Sequence, residues 1–376
     1  MIEPPLPFGN AAARWFYVLL KGLVARGHTV TAFATCSKSE EIKKAREVFP
    51  SPQYDLRCYT HSRRSGLHGK LETLRRPYSY MFSSEFERDL KTELSQGFDI
   101  LHLEQAWAGW LGLEYKTRSL LNVHHLVGID LEETRGHWLM IRTERKLIQA
   151  YPFVRSCSPR LIAPIQSSNP RTHITTIPVA IDATQYRFIS DSERGRDPVV
   201  SIIGTMNWHP TRSAAERFLN HLWPEIKKQI PNARAQIVGW DAKKVLARYL
   251  NTPDLIVEEN VPNIQPYFDR TSVLLYAPQR GSGMKIKILE AMAFGVPVVT
   301  TSEGVEGLPA RDGIEAGVCD DNEGLIARTV ALIRNTQAQN TQRAAARKLI
   351  ESHCSPQAAL DAIEENYKTI LKKRTS

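Results

Sequence analysis

An α/β protein made of two doubly wound parallel sheets is what the sequence predicts, and three observations carry the prediction. Short apolar, β-branched runs alternate with helical stretches along nearly the whole chain, the pattern of parallel sheets with covering helices. The alternation begins twice, near Thr29 and again at Val199, on either side of a polar, aperiodic stretch at 190–198 that contains Gly195 and Pro198. A length of 376 residues also exceeds what one hydrophobic core usually supports. The expected division is 1–187, 188–354 and a terminal helical segment, 355–376, placed to brace the hinge. Two sheets joined in this way are expected to face each other across a cleft.

Composition narrows the class. Hydrophobic residues make up 42% of the chain and the mean hydropathy is −0.32, as in a water-soluble globular protein. No run approaches the eighteen apolar residues of a membrane span, and residues 1–30 lack an apolar core followed by a cleavage site, so a cytoplasmic protein is expected. Five cysteines without C-x-x-C spacing argue for reduced thiols, against a disulfide framework and against a structural zinc. The net charge of +9 is concentrated in residues 1–190, which hold 25 Lys and Arg against 18 Asp and Glu. Arg57, Arg63, Arg64, Lys70, Arg75 and Arg76 form its densest patch, opposed in that interval only by Glu72. Such a patch suits anionic lipid headgroups, as in peripheral contact with the inner face of the cytoplasmic membrane, or a phosphorylated acceptor; it equally suits a solvated face. Nucleic acid is not expected, since no recognition motif accompanies the charge.

The elements follow in chain order. Residues 11–24 read as a helix after a turn at 7–10, and 29–34 as a strand. A helix that feeds a parallel strand normally follows another strand, yet only Met1 to Glu3 precede this one, so either the first strand is vestigial or the chain begins upstream. From Ser37 to Leu94 the pattern is helical and polar, with a helix at 39–48, an interruption at Pro77, and a helix at 83–94 carrying Glu85 and Glu87 in its first turn. Strands at 98–103 and 120–123 end in His102, Glu104 and Gln105 and in His124 and His125. Polar groups at the ends of buried strands are where α/β sheets meet ligands, although a satisfied structural histidine leaves the same trace. A long helix at 131–149 and strands at 151–157 and 174–178 complete the first half.

After the hinge, a strand at 199–203 runs into a tight turn at Gly204, Thr205 and Met206, and Pro210 opens a helix over 211–229. Strands at 235–238 and 255–257 flank a helix at 241–250, and a short helix covers 264–268. The tail is helical over 322–335, 341–353 and 356–372, with Arg343, Arg347 and Lys348 read as a solvated face.

The stretch 271–308 is the most informative. Thr271 to Ala277 is a buried-strand candidate, and Pro278, Gly281 and Gly283 end it in a loop. A helical segment follows with Met284, Ile288, Ala291 and Met292 mostly on one side, and 296–301 is a further strand. Strand, glycine turn and helix together aim open backbone N–H groups into the crevice where α/β sheets hold ligands. Ser282 offers a hydroxyl there, Lys285 and Lys287 offer positive charge, and Glu290 lies further along, so a phosphate-bearing ligand fits. Neither the Walker spacing nor the G-x-G-x-x-G fingerprint is present.

The run PQRGSGMKIKILEAMAFGVPVVTTSEGVEGL resembles the hallmark of the retaining nucleotide-sugar glycosyltransferases of the GT4 type, which share a GT-B architecture of two Rossmann-like domains. GTMNWHPTRSAA, PNARAQIVG, PNIQPYF and IPVAIDATQYRF are similar to further positions of that family. The resemblance implies transfer of a sugar from a nucleoside-diphosphate sugar, UDP- or GDP-linked, to a hydroxyl of a sugar, lipid-linked or small-molecule acceptor, with no other cofactor. It gives Glu290 the ribose hydroxyls, as the second glutamate of E-x7-E. It places Gly283, Met284 and Lys285 where backbone amides meet the donor, Lys287 near the diphosphate, Gly204 and Thr205 opposite it and Ile264 at the base. Gly9 and Asn10 resemble a mobile N-terminal loop, and His124 matches the histidine close to the transferred sugar, with His125 as its alternative.

Two departures bear on the site. The first glutamate of E-x7-E is replaced by Ser282, which implies that Ser282 and the following amides serve the donor or that the site is weakened. The basic pair of the first turn after the hinge is missing too, leaving Arg212 as a stand-in. Metal independence is expected, since no D-x-D pair is present. The other readings are a non-catalytic nucleotide-sugar-binding partner subunit and, further off, an isomerase or phosphorylase on the same frame.

Overall fold

A computed structural model describes residues 1–7, 9–62, 66–130, 138–190, 193–195 and 197–375. In chain order its elements are α1 (Ala11–Ala25), β1 (Thr31–Cys36), α2 (Ser39–Val48), β2 (Asp55–Thr60), α3 (Gly66–Arg75), α4 (Ser84–Ser95), β3 (Leu101–Glu104), β4 (Ser119–Val123), α5 (Val127–Asp130), α6 (Trp138–Ala150), β5 (Phe153–Ser156), α7 (Ile162–Ser168) and β6 (His173–Thr176). There follow β7 (Val199–Ile203), α8 (His209–Arg217), α9 (Trp223–Gln229), β8 (Arg234–Gly239), α10 (Ala242–Val245), β9 (Leu255–Glu259), α11 (Gln265–Arg270), β10 (Val273–Tyr276), α12 (Ile286–Phe294), β11 (Val298–Thr300), β12 (Gly317–Val318), α13 (Asn322–Arg334), α14 (Thr336–His353) and α15 (Pro356–Thr375). They form two compact units, residues 1–181 with 356–376, and residues 182–355.

In the first unit, β3-β4-β5-β6 make a parallel four-stranded sheet and β1-β2 a separate parallel pair. Met1 donates its amino group to Phe33 O (2.7 Å), Thr35 N donates to Met1 O (3.1 Å) and Thr35 Oγ1 to Ile2 O (2.8 Å), so the first two residues run beside β1 without making a strand. α1 packs its apolar face, Trp15, Phe16, Leu19, Leu20 and Leu23, into this unit. The terminal helix belongs to the same unit: Arg26 at the end of α1 pairs with Asp361 (2.6 Å) and Glu364 (2.9 Å), and Gly22 leaves room for Leu360.

β2 corrects the helical reading of 37–94. Asp-Leu-Arg-Cys-Tyr-Thr is a half-buried strand at the sheet margin, too polar to show a buried run and too short to show alternation. Part of the helix read over 131–149 lies outside the described residues, and its remainder is α6. Arg63 and Arg64 of the basic patch lie outside them as well.

The second unit is a six-stranded parallel sheet in the order β12-β11-β10-β7-β8-β9. Its strands VVSII, VLLY and VVT are almost wholly buried, as strands covered on both faces must be. The chain enters at β7, winds outward through β8 and β9, then returns to β10 on the other side, so the order reverses between β7 and β10. Between α8 and α9 the helix widens into one π turn at 218–222, because Pro224 has no N–H to continue the regular ladder.

Two expectations for this unit are corrected. α12 is not amphipathic: it is buried on every side except at Lys287. Arg343 and Arg347 are not a solvated face. Arg343 is buried against the Phe188 ring (4.6 Å), and the Arg347 guanidinium donates to the carbonyls of Ala183 (2.8 Å), Tyr186 (3.0 Å) and Ala293 (2.5 Å). Lys348 is exposed as expected.

Candidate active site

The reversal between β7 and β10 places two loops at neighbouring strand ends, and most candidates of the second unit lie on them. Gly204 leaves β7 with φ +153°, and a side chain there would press against Lys287 Nζ, 2.9 Å from the Cβ it would carry. The loop from β10 turns at Gly283 (φ +77°) and delivers Lys285 to the cap of α12 and Lys287 to its first turn. Lys287 thus spans the two sides: its ammonium donates to Thr211 Oγ1 on α8 and sits 3.5 Å from the Tyr276 hydroxyl at the end of β10, 4.6 Å from that ring's centre. Burial, then the charge of Lys285, push its pKa from 10.5 down to about 7.

The two lysines have different surroundings. Lys285 is buried, donates to Gly283 O and lies 3.6 Å from Glu306 Oε2, whereas Lys287 makes no ion pair among the described residues. Glu306 also accepts from Gly283 N (3.1 Å). The Gly283 amide, read from the sequence as open to a ligand, is thus occupied by a carboxylate that sequence reasoning missed. Glu306 stands within the quoted SEGVEGL, and its signal was an acidic residue just beyond a buried strand.

The other candidates fall as follows. Ser282, Met284 and Glu290 are buried around the same loop and helix. Thr205 is exposed beside Gly204. Arg212, the proposed basic stand-in, projects into solvent on the first turn of α8 while its neighbour Thr211 turns inward to Lys287. Ile264 is half-buried at the start of α11, its carbonyl accepting from Tyr267 N (3.1 Å) and Phe268 N (3.3 Å).

In the first unit the candidate histidine belongs to a buried polar cluster. Glu104, the last residue of β3, is 1% exposed and has Oε2 2.7 Å from His124 Nε2 and Oε1 3.0 Å from His102 Nε2; Trp15 Nε1 donates to Oε1 (2.8 Å). Burial alone would raise the Glu104 pKa, but the neighbouring histidines outweigh it and hold the group well below the usual carboxylate range. An ionised carboxylate only accepts, so His124 presents an Nε2–H to it and keeps Nδ1 as an acceptor. Burial lowers the His124 pKa in turn, which keeps the ring neutral.

Asn122 donates to the same carboxylate and accepts from Arg155 NH1 (2.8 Å); Arg155, wholly buried, stacks 4.2 Å from the Trp15 ring. His102 Nδ1 lies 2.6 Å from the Tyr367 hydroxyl on α15. The cluster fixes His124 in one orientation. His125 is half-buried. The Asn10 side chain caps α1 by accepting from Ala13 N (2.9 Å) and donates to Glu3. Gly9 precedes it, exposed, with φ +132°.

Two family descriptions match this chain, "Glycosyltransferase Family 4" over residues 12–185 and "Glycosyl transferases group 1" over residues 197–335. The chain belongs to the GT4-type glycosyltransferases. Solved structures give this glycosyltransferase its GT-B fold. It is similar to sucrose-phosphate synthase of Thermosynechococcus elongatus, with 15% identity over 95% of this chain and 93% of that one, at a TM-score of 0.71. Anabaena HepE, crystallised with UDP and glucose, is 14% identical over 97% of both chains at 0.68. A glycosyltransferase of Rickettsia africae is 15% identical over 98% of this chain and 97% of that one at 0.67. No curated protein sequence matches the chain. In this glycosyltransferase the sequence reading left Arg155 and Glu306 without a role, and it took Glu104 only as a polar group at a strand end. Arg155, a charge inside the apolar run FVRS, was the clearest overlooked sign of a buried partner.

Proposed function

We propose that this glycosyltransferase moves a sugar from a nucleoside-diphosphate sugar to an acceptor hydroxyl with retention of anomeric configuration. The single observation behind it is Lys287: a cation set at the reversal of strand order, surrounded by hydroxyls and a ring, at the start of a helix. A leaving diphosphate needs its developing negative charge met, and Lys287 with the α12 N-terminus supplies that. Glu290 holds the ribose hydroxyls through its two carboxylate oxygens. In the transfer step the bond from the anomeric carbon to the diphosphate breaks, the acceptor oxygen bonds to that carbon on the same face, and the acceptor proton passes to a phosphate oxygen. His124, held by Glu104, orients the transferred sugar through its acceptor nitrogen.

The Glu306–Gly283–Lys285 arrangement supports a donor loop that keeps its shape without the glutamate replaced by Ser282. The carboxylate comes from the far side of β11 instead. The test is a panel of UDP- and GDP-sugars offered to the purified protein, with turnover followed by nucleotide release and the product anomer assigned by NMR. Transfer with retention, undiminished by EDTA, is the expected result. Inversion, or donor binding without turnover or hydrolysis under any acceptor, would overturn the proposal; the latter would favour a non-catalytic partner subunit, a reading that Ser282 helps to motivate.

A further inference from the structure

Glu104 receives more donors than holding one histidine requires, and one of them is steadied from the far end of the chain. His102 on β3 faces Glu104 Oε1 with Nε2 (3.0 Å) and turns Nδ1 to the Tyr367 hydroxyl on α15 (2.6 Å), 265 residues away in sequence. Glu104 Oε2 meets His124 Nε2 (2.7 Å) just beyond β4. Tyr367, His102, Glu104 and His124 thus make a continuous polar line inside the first unit, from its terminal helix to the candidate histidine.

Chemistry fixes the direction of every link. Glu104 is buried and ionised, so it only accepts, and each ring nitrogen facing it carries a proton. In the neutral His102 ring Nδ1 is then left with its lone pair, and the phenol supplies the hydrogen. Burial, then the charges of Glu104 and Glu364, raise the Tyr367 pKa, so the hydroxyl keeps the proton it donates. With the opposite tautomer at His102, a lone pair would face the carboxylate.

α15 is seated without help from this hydroxyl. Arg26 and His28 hold Glu364 (2.9 and 2.8 Å), and Thr175 donates to Asn366 (2.8 Å). The Tyr367 ring itself packs edge-on against His102 and His28, with centroids 5.8 and 6.5 Å apart. Among the described residues the hydroxyl has one hydrogen bond, to His102.

We propose that Tyr367 is a positioning residue for the transfer reaction: its hydroxyl fixes the His102 ring, His102 and Trp15 pin Glu104 Oε1, and Oε2 is thereby kept aimed at His124. Its value to the reaction rests on the role given above to His124, orienting the transferred sugar. Asn122 also donates to Oε2, so loss of the hydroxyl loosens the carboxylate without releasing it.

Histidine-selective 15N labelling of the full chain, with no donor present, reads the line directly, and His102→Gln and His124→Gln assign the signals. At about pH 8, above the ordinary histidine range, both rings are expected to carry their proton on Nε2. Tyr367→Phe keeps the packed ring. It should move the His102 Nδ1 resonance downfield, as a lost hydrogen bond does, and speed water exchange of the His124 Nε2 proton about tenfold. In turnover, Tyr367→Phe should lower kcat about tenfold and leave the donor KM unchanged. In a Glu104→Gln background the same substitution should cost nothing further, because its effect passes through the carboxylate; a purely structural tyrosine would cost the same in both. A His102 proton on Nδ1, an unmoved His124 signal in Tyr367→Phe, or equal kcat losses in the two backgrounds would overturn the proposal. Nitrogen spectra that behave as expected in a protein that turns over no donor would sink the transfer reading, whereas failed spectra beside normal turnover would sink the positioning role alone.

Discussion

Lys287 makes donor binding depend on pH in a way that can be worked out in advance. With the site empty, its pKa is lowered from 10.5 to about 7, burial being the larger cause and Lys285 the second. A bound diphosphate adds negative charge beside the ammonium and returns the pKa well above 7. Below pH 7 the lysine is already charged and affinity is flat. Above pH 7 each binding event must first take up a proton, which costs about 1.4 kcal/mol per pH unit, or tenfold in affinity. Between pH 6 and pH 9 the dissociation constant of a nucleoside-diphosphate sugar should therefore rise about 100-fold. A sugar nucleotide is the right probe, since both of its phosphates are esterified and neither titrates in this window. Calorimetry in two buffers of different ionisation enthalpy at pH 8 should show uptake of close to one proton, and Lys287→Met should lose both the uptake and the slope. The same depressed pKa means that the unliganded fold loses stability as pH falls from the unfolded value of Lys towards 7, so Lys287→Met should raise the melting temperature at pH 7 while weakening binding. A flat affinity between pH 6 and 9, or the wild-type slope retained in Lys287→Met, would refute the assignment of Lys287 to the diphosphate.

Further outcomes separate the remaining roles. Glu290→Ala should weaken nucleotide binding by roughly 10- to 100-fold in calorimetry, the loss of hydrogen bonds to a charged acceptor. His124→Ala should lower turnover roughly 100-fold with donor affinity nearly unchanged; a fall in affinity as large as that in turnover would place it elsewhere. Glu306→Gln keeps an oxygen for Gly283 N but removes the negative charge from its buried pair with Lys285, so denaturant unfolding should show a loss of about 3 kcal/mol together with weaker donor binding. Arg347→Met removes the donor to three carbonyls and should cost about 2 to 4 kcal/mol of stability, with donor affinity unchanged.

What the sequence shows plainly about this protein is whatever is settled by near neighbours. The stretch 271–308 reads as strand, turn, helix and strand because β-branched runs, the turn glycines Gly281 and Gly283 and a helix start each leave a local mark, and the fold places them where those marks say. β2 left none, since a half-buried marginal strand of mixed polarity has neither an apolar run nor a clean alternation. The site polar groups are hidden for a different reason. Glu104 reaches His124 across 20 residues, and Glu306 reaches Gly283 across 23, through parallel strands whose side-by-side placement is set by crossovers that single-residue patterns do not encode. Arg347 shows the cost of reading charge by helix surface alone: besides Glu351 four residues on (2.6 Å), it donates to the carbonyls of Ala183, Tyr186 and Ala293, and a carbonyl acceptor has no sequence signature. The same limit explains Ser282. A motif read along the chain shows the missing glutamate, and it does not show that the fold brings the buried Glu306 carboxylate to the neighbouring Gly283 and Lys285 from beyond β11.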